Sequence, residues 1–155
     1  MGLDQSCRSQ MIWRIGIFII TGIVAAVLGV WAADRDPPYI LQNGVAAPSP
    51  AVPGGPLYIT SDVIVYRSGC YGVFQRTMLD SGGFPWAFPP TPTQFNDLPP
   101  GKYRVATPIR YILPVAIASG EACSSTETTF YCNPLHKLWP IKVHTACVKF
   151  TVAPR

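Results

Sequence analysis

The sequence predicts an all-β domain, built as a two-layer sandwich, carried behind one N-terminal transmembrane helix. Three observations predict it. A block of nineteen residues without a charge runs from Ile15 to Ala33. Beyond it, apolar residues recur at every second position in short segments punctuated by Pro and Gly, the period of a half-buried strand. Four cysteines, Cys70, Cys123, Cys132 and Cys147, fall in that second part.

Composition agrees with this division. Charged residues make up 13% of the chain, against roughly 25% in an ordinary soluble domain. The apolar block accounts for part of the deficit, and 17 Pro and 13 Gly point to turn-rich β structure for the rest. A chain of 155 residues has room for one domain, or for one small domain and an anchor. The net charge of +4 is scattered, with no basic run beyond residue 33, which excludes a nucleic-acid partner and leaves an ordinary solvated surface.

Residues 1–14 read as a cytoplasmic tail and 15–33 as the membrane span. Nineteen helical residues rise about 28 Å, close to the hydrocarbon thickness of a bilayer. Trp13 and Trp31 stand near the two ends of the block, where indole rings favour the water–lipid boundary. Arg8 and Arg14 precede it, Arg35 alone follows closely, and Pro37-Pro38 stop the helix. That basic bias favours an N-terminus in the cytoplasm and a C-terminal part outside it. The rival reading is a signal peptide cut after Ala32, since Val30-Trp31-Ala32 offers small residues at the inspected positions, but the apolar block exceeds the usual 7–15 residues of such a core. Either reading exports the C-terminal part. Gly22 with Ala26, and Ala25 with Gly29, have the spacing that can pair helices, although a helix rich in Ala and Gly shows it incidentally.

Cys7 falls on the cytoplasmic side as a free thiol, and the other four cysteines read as two disulfides of an exported domain. Strand geometry selects among the three connectivities. A single strand from Cys123 to Cys132 would hold these two roughly 30 Å apart, whereas bonded cysteines need Cα atoms about 5.5 Å apart. A hairpin joining Cys132 to Cys147 brings Cys123 toward Cys147. The expected bonds are therefore Cys123–Cys147 and Cys70–Cys132. A zinc site from Cys132, His136 and Cys147 is the weaker alternative, because no C-x-x-C pair supports it.

Residues 34–56 look like a Pro/Gly-rich tether with one short strand at Tyr39-Ile40-Leu41, and 57–153 like the sandwich itself. Leu57, Ile59, Val63 and Val65 alternate with polar partners, and Cys70 to Leu79 forms the next strand, closed by Asp80-Ser81-Gly82-Gly83. The loop that follows holds too many prolines for a central strand. Lys102 to Leu113 is the clearest pattern, with Tyr103, Val105, Ile109, Tyr111 and Leu113 on one face and a bulge or edge position at Pro108. Glu121 to Cys132 is a Thr-rich strand. In Pro140 to Val152 the phase slips between Ile141 and Val143 and the later Val148, Phe150 and Val152, which calls for one extra, bulged residue between Val143 and Val148.

Five or six such strands without an amphipathic helix make an immunoglobulin-like sandwich the best architectural description. The antibody-type marks are missing: no Trp stands beside a disulfide, and Phe130 occupies the place of the corner tyrosine. The stretches RSGCYGVFQRTMLDSG at 67–82 and YCNPLHKLWPI at 131–141 resemble small uncharacterised single-pass membrane proteins of bacteriophages and bacteria that carry a short β ectodomain. The resemblance implies a bacterial inner-membrane setting and no established activity.

No catalytic constellation assembles from the residues. There is no G-x-S-x-G, H-E-x-x-H or glycine-rich phosphate loop. His144 reads as a surface residue beside Lys142, Asp62 and Asp80 make a pair of carboxylates only on paper, and Asp80 reads better as a turn residue. No cofactor is expected. The stretch from Cys132 to Ile141 is the candidate contact site, because Leu135, Leu138 and Trp139 are costly to expose in a connection. They either fold back as a lid over the open end of the sandwich, the favoured reading, or form a partner-binding tip. The loop from Phe84 to Phe95, with Trp86 and Phe88, poses the same question. The expected function is that of a non-enzymatic envelope protein presenting a periplasmic sandwich to a protein partner. Its alternatives are a structural membrane component of a phage particle or its assembly apparatus, and an accessory of lysis or host takeover.

Overall fold

The computed structural model describes residues 4–93, 95, 97–104 and 109–154. They form two compact units, one ending at Arg35 and the other beginning at Asp36. The first is the helix α1 (Asp4–Ala33). It begins eleven residues before Ile15, so most of the expected cytoplasmic tail is helical as well. Within it Ile12–Ala33, 22 residues, is long and apolar enough to cross a membrane, with a rise of about 33 Å. Its large side chains other than half-buried Trp31 are exposed, Phe18 to 77%. A helix apolar on its outside belongs in an apolar medium. Asp34 N–H donates to Val30 O and closes the last turn.

Among the described residues the second unit holds ten strands: β1 (Tyr39–Ala47), β2 (Pro56–Val65), β3 (Tyr71–Leu79), β4 (Pro85–Ala87), β5 (Thr91–Pro92), β6 (Gly101–Arg104), β7 (Ile109–Ile112), β8 (Gly120–Tyr131), β9 (Ile141–His144) and β10 (Val148–Val152). One sheet runs β1-β2-β6, with β7 beside the other half of β2. The second runs β10-β8-β3-β4, with β9 also on β8 and β5 also on β3. The ladders between these strands are antiparallel, and the two sheets make the sandwich.

The stretch expected to be a tether is part of the fold. β1 has nine residues rather than three and pairs along the length of β2 from Tyr39↔Val65 to Ala47↔Tyr58. Between Gln42↔Asp62 and Val45↔Thr60 it spends one residue more than β2, a bulge at Asn43-Gly44 with Asn43 at φ 52°. Gly44 is required there, because a Cβ would collide with the Val148 side chain. The strand expected over Lys102–Leu113 is split into β6 and β7, which lie end to end on β2 at the sheet edge. Two extra residues separate Arg104↔Asp62 from Ile109↔Ile59. An even number keeps the phase, so Tyr111 and Leu113 stay buried. Val105 and Pro108 lie outside the described residues.

The last stretch behaves as its phase predicts. Glu127 pairs with His144 and Ser124 with Val148, three steps on β8 against four on its partner. The one bulged residue returns Ile141 on one side and Phe150 and Val152 on the other to the core. Among its described residues the Pro-rich loop contributes β4 and β5, short pieces on the outer edge of β3, where a missing N–H is tolerated.

The core is in two parts. Tyr39, Val63, Val65, Phe74, Phe130 and Ile141 fill one end, and Leu57, Ile59, Met78, Leu113, Phe150 and Val152 are among those filling the other. Tyr39 meets Phe130 edge to face with centroids 4.7 Å apart. Between the two ends sits Arg76, buried on the inner face of β3. Its guanidinium lies 4.7 Å from the Phe74 ring centroid and 5.8 Å from that of Tyr111, and Nη1 donates to Thr91 Oγ1 at 2.8 Å. No carboxylate among the described residues forms an ion pair with it, so aromatic faces take that place. Burial pushes the Tyr39 and Tyr111 hydroxyls above their ordinary range, against the opposing pull of this cation.

Candidate functional site

The turn after β8 is built from the disulfide outward. Cys132 is bonded to Cys70, with Cα atoms 4.3 Å apart. Asn133 is extended and caps a short 3₁₀ turn, Pro134–Lys137, accepting the His136 N–H on Oδ1 at 3.3 Å. Pro134, which has no N–H to satisfy, stands in the first turn. The His136 side chain is buried, 1% exposed. Its Nδ1 accepts the Cys132 N–H at 3.0 Å, and the Asn133 carboxamide lies 3.2 Å from Nε2. The N–H groups of Leu138 and Trp139 both donate to Leu135 O.

This scaffold corrects the lid reading. It is His136 that turns inward, with Leu135 half-buried, while Leu138 is 88% and Trp139 63% exposed. Alternation could not show this, because a 3₁₀ turn places successive residues on three faces rather than two. The three residues singled out from the sequence thus divide: Leu135 supports the turn, and Leu138 and Trp139 form its outward tip.

The surroundings follow from topology. β1 begins beside the end of β2, and β3 beside the end of β8, as Tyr39↔Val65 and Tyr71↔Tyr131 establish, and the packing of Tyr39 and Val65 with Phe74 and Phe130 puts all four at one end of the sandwich. The tip, the Cys70–Cys132 bond and the entry of the chain at Asp36–Pro38 therefore share that end. Tyr66 and Arg67 N–H groups donate to Pro38 O, and Arg67 Nη2 donates to Asp36 O at 2.7 Å. Exposed Tyr66 and Tyr71 flank two shallow depressions there. The alternation that buries Leu57, Ile59, Val63 and Val65 places Tyr66 on the outward side, whereas Tyr71, at the start of β3, carried no such signal.

The opposite end is organised by Asp80. Its Oδ1 accepts from the N–H groups of Gly82 and Phe84, and its Oδ2 from Trp86 Nε1 and the Ala118 N–H, at 2.9–3.3 Å. The Phe84 amide first, then the Trp86 indole, hold the carboxyl below its ordinary range. Phe84 stands exposed against Trp86, while half-buried Trp86 and Phe88 pack on the core, Phe88 with its ring 5.1 Å from Tyr111. Val52 and Val115 are exposed at the same end.

The remaining candidates are placed as follows. Cys123 is bonded to Cys147, which with Cys70–Cys132 is the pairing that strand spacing predicts. Cys132 and Cys147 sit in different disulfides, so neither is a thiolate for zinc. Among the described residues no group of three His, Cys, Asp or Glu could hold a metal ion. Asp62 contacts Lys102 and Asn43, away from the donors that surround Asp80. His144 is exposed, with Glu127 at 3.7 Å and Lys142 bridging the same carboxylate at 2.9 Å. A comparison with protein-family models finds no match, and a comparison with curated proteins finds none that is similar.

Proposed function

We propose that this chain is a non-enzymatic, single-pass membrane protein of the bacterial envelope. Its N-terminus is cytoplasmic, and its disulfide-linked sandwich is held in the periplasm for contact with other proteins. One conjunction carries this reading. An exposed apolar helix of membrane-spanning length stands on the same chain as a domain cross-linked twice, and disulfides form and persist in oxidising compartments. Arg8 and Arg14 ahead of the span, against Arg35 close behind it, support the orientation. The apolar side chains exposed around the Asp80 hub, Val52, Phe84 and Val115, offer a surface for a protein partner. A phage or prophage source is proposed on the resemblance of residues 67–82 and 131–141.

The test is a pair of fusions. A reporter active only in the periplasm should work after Arg155 and fail at the N-terminus, and the chain without a reporter should keep its full 16.9 kDa mass. The reverse pattern, or a product shortened by cleavage after Ala32, defeats the anchor. A photo-crosslinker at position 84 that captures no envelope protein defeats the contact surface.

A further inference from the structure

We infer that the end of the sandwich carrying Leu138 and Trp139 rests in the lipid–water interface of the bilayer that the N-terminal helix crosses. The inference rests on the anchor reading above, and names what that end touches.

The first ground is reach. Only residues 34–38 separate Ala33, the last residue of α1, from Tyr39, the first of β1. Fully extended, that connection spans at most about 20 Å. Asp36–Pro38 enter the domain at the end that bears the tip, fixed there by bonds from Tyr66 and Arg67. The end of the domain that bears the tip is thus the end joined to α1 by this short connection.

The second ground is side-chain chemistry. Leu138 and Trp139 project from the turn, Tyr66 and Tyr71 are exposed at the same end, and Lys137 precedes the tip. Trp and Tyr, with an apolar body and a polar edge, are the residues that favour the headgroup region. A lysine beside them can lay its stem on the apolar surface and keep its ammonium at the headgroups. The opposite end exposes Val52, Phe84 and Val115, which lack such polar handles and cannot be reached by the bilayer while the first end is docked.

The third ground is preorganisation. The tip is held by the Cys70–Cys132 bond, by buried His136 on the Cys132 N–H, and by two N–H groups on Leu135 O. It presents Leu138 and Trp139 outward with little ordering left to do on contact.

The experiment uses the full chain, oxidised, with Cys7→Ser and a single environment-sensitive fluorophore on Leu138→Cys. It is reconstituted in nanodiscs of phosphatidylethanolamine and phosphatidylglycerol, with and without brominated acyl chains. Val52→Cys, at the opposite end, is the control, and Trp139→Cys repeats the measurement should Leu138→Cys fail to fold. The expected result is a blue-shifted emission at 138 that brominated lipid quenches, with the label at 52 aqueous and unquenched. An aqueous label at 138 overturns the inference, as does equal quenching at both positions. A blue shift at 138 that brominated lipid leaves untouched overturns it in favour of protein, a second copy included. Alkaline extraction of the same samples separates the two readings: a chain washed off the membrane fails the anchor, whereas a retained chain with an aqueous label fails the docking alone.

Discussion

The indole N–H of Trp86 donates to Asp80 Oδ2 at 3.1 Å, so the carboxylate that closes one turn also aims the ring six residues later. With Gly82, Phe84 and Ala118 it gathers four donors, and these hold its carboxyl below the ordinary range of an aspartate. A depressed folded value stabilises fully above the unfolded titration and is lost as pH falls through the folded one. Asp80→Asn replaces one acceptor oxygen by a donor facing donors. Thermal melts from pH 7 to pH 2 should show the variant melting earlier at neutral pH, with the gap closing in acid.

Tyr39 decides whether residues 36–47 belong to the domain. It is buried among Phe74, Phe95 and Phe130. Tyr39→Ala should cost about 3–5 kcal/mol, as for other large buried aromatics, read from urea midpoints. A tether residue would cost nothing measurable.

Trp139 and His136 should behave in opposite ways although they stand only three positions apart. Trp139→Ala, at an exposed position, should leave stability within about 0.5 kcal/mol of the parent. His136→Ala strips the Cys132 N–H of its acceptor inside the turn and should cost about 1–3 kcal/mol. Denaturation of both variants in one buffer checks the contrast.

The two disulfides close loops of different length, 62 residues for Cys70–Cys132 and 24 for Cys123–Cys147. On chain-entropy grounds the first is worth about 4 kcal/mol and the second about 3.5. Paired Cys→Ser variants should therefore rank in that order. Non-reducing peptide maps should recover the two cross-linked peptides and no Cys123–Cys132 species.

Much of this fold was legible because the side-chain period of a strand is two. The alternation in Leu57–Val65 and the phase slip before Val148 were enough to place a strand and a one-residue bulge, and strand rise alone kept Cys123 from Cys132. β1 was obscured for the same physical reason: the extra residue at Asn43-Gly44 breaks its phase midway, and prolines follow closely. The tip was only half legible. Composition marked Leu135, Leu138 and Trp139 as costly in a loop, but which one turns inward depends on the His136 and Asn133 bonds, which have no periodic signature. Arg76 was hidden in a segment that otherwise reads apolar-inward, since nothing local tells that aromatic rings will flank it.

The disulfides have a consequence for how the chain matures. In chain order the cysteines run 70, 123, 132, 147, and the bonds interleave, the first with the third and the second with the fourth. In the topology proposed above, a chain threaded outward behind its N-terminal helix delivers Cys123 to the oxidant before Cys132. Pairing in order of emergence would join Cys70 to Cys123 and Cys132 to Cys147, wrong on both counts, and only thiol exchange could undo it. Either the strands assemble before oxidation, or the compartment that receives this domain must supply an isomerase.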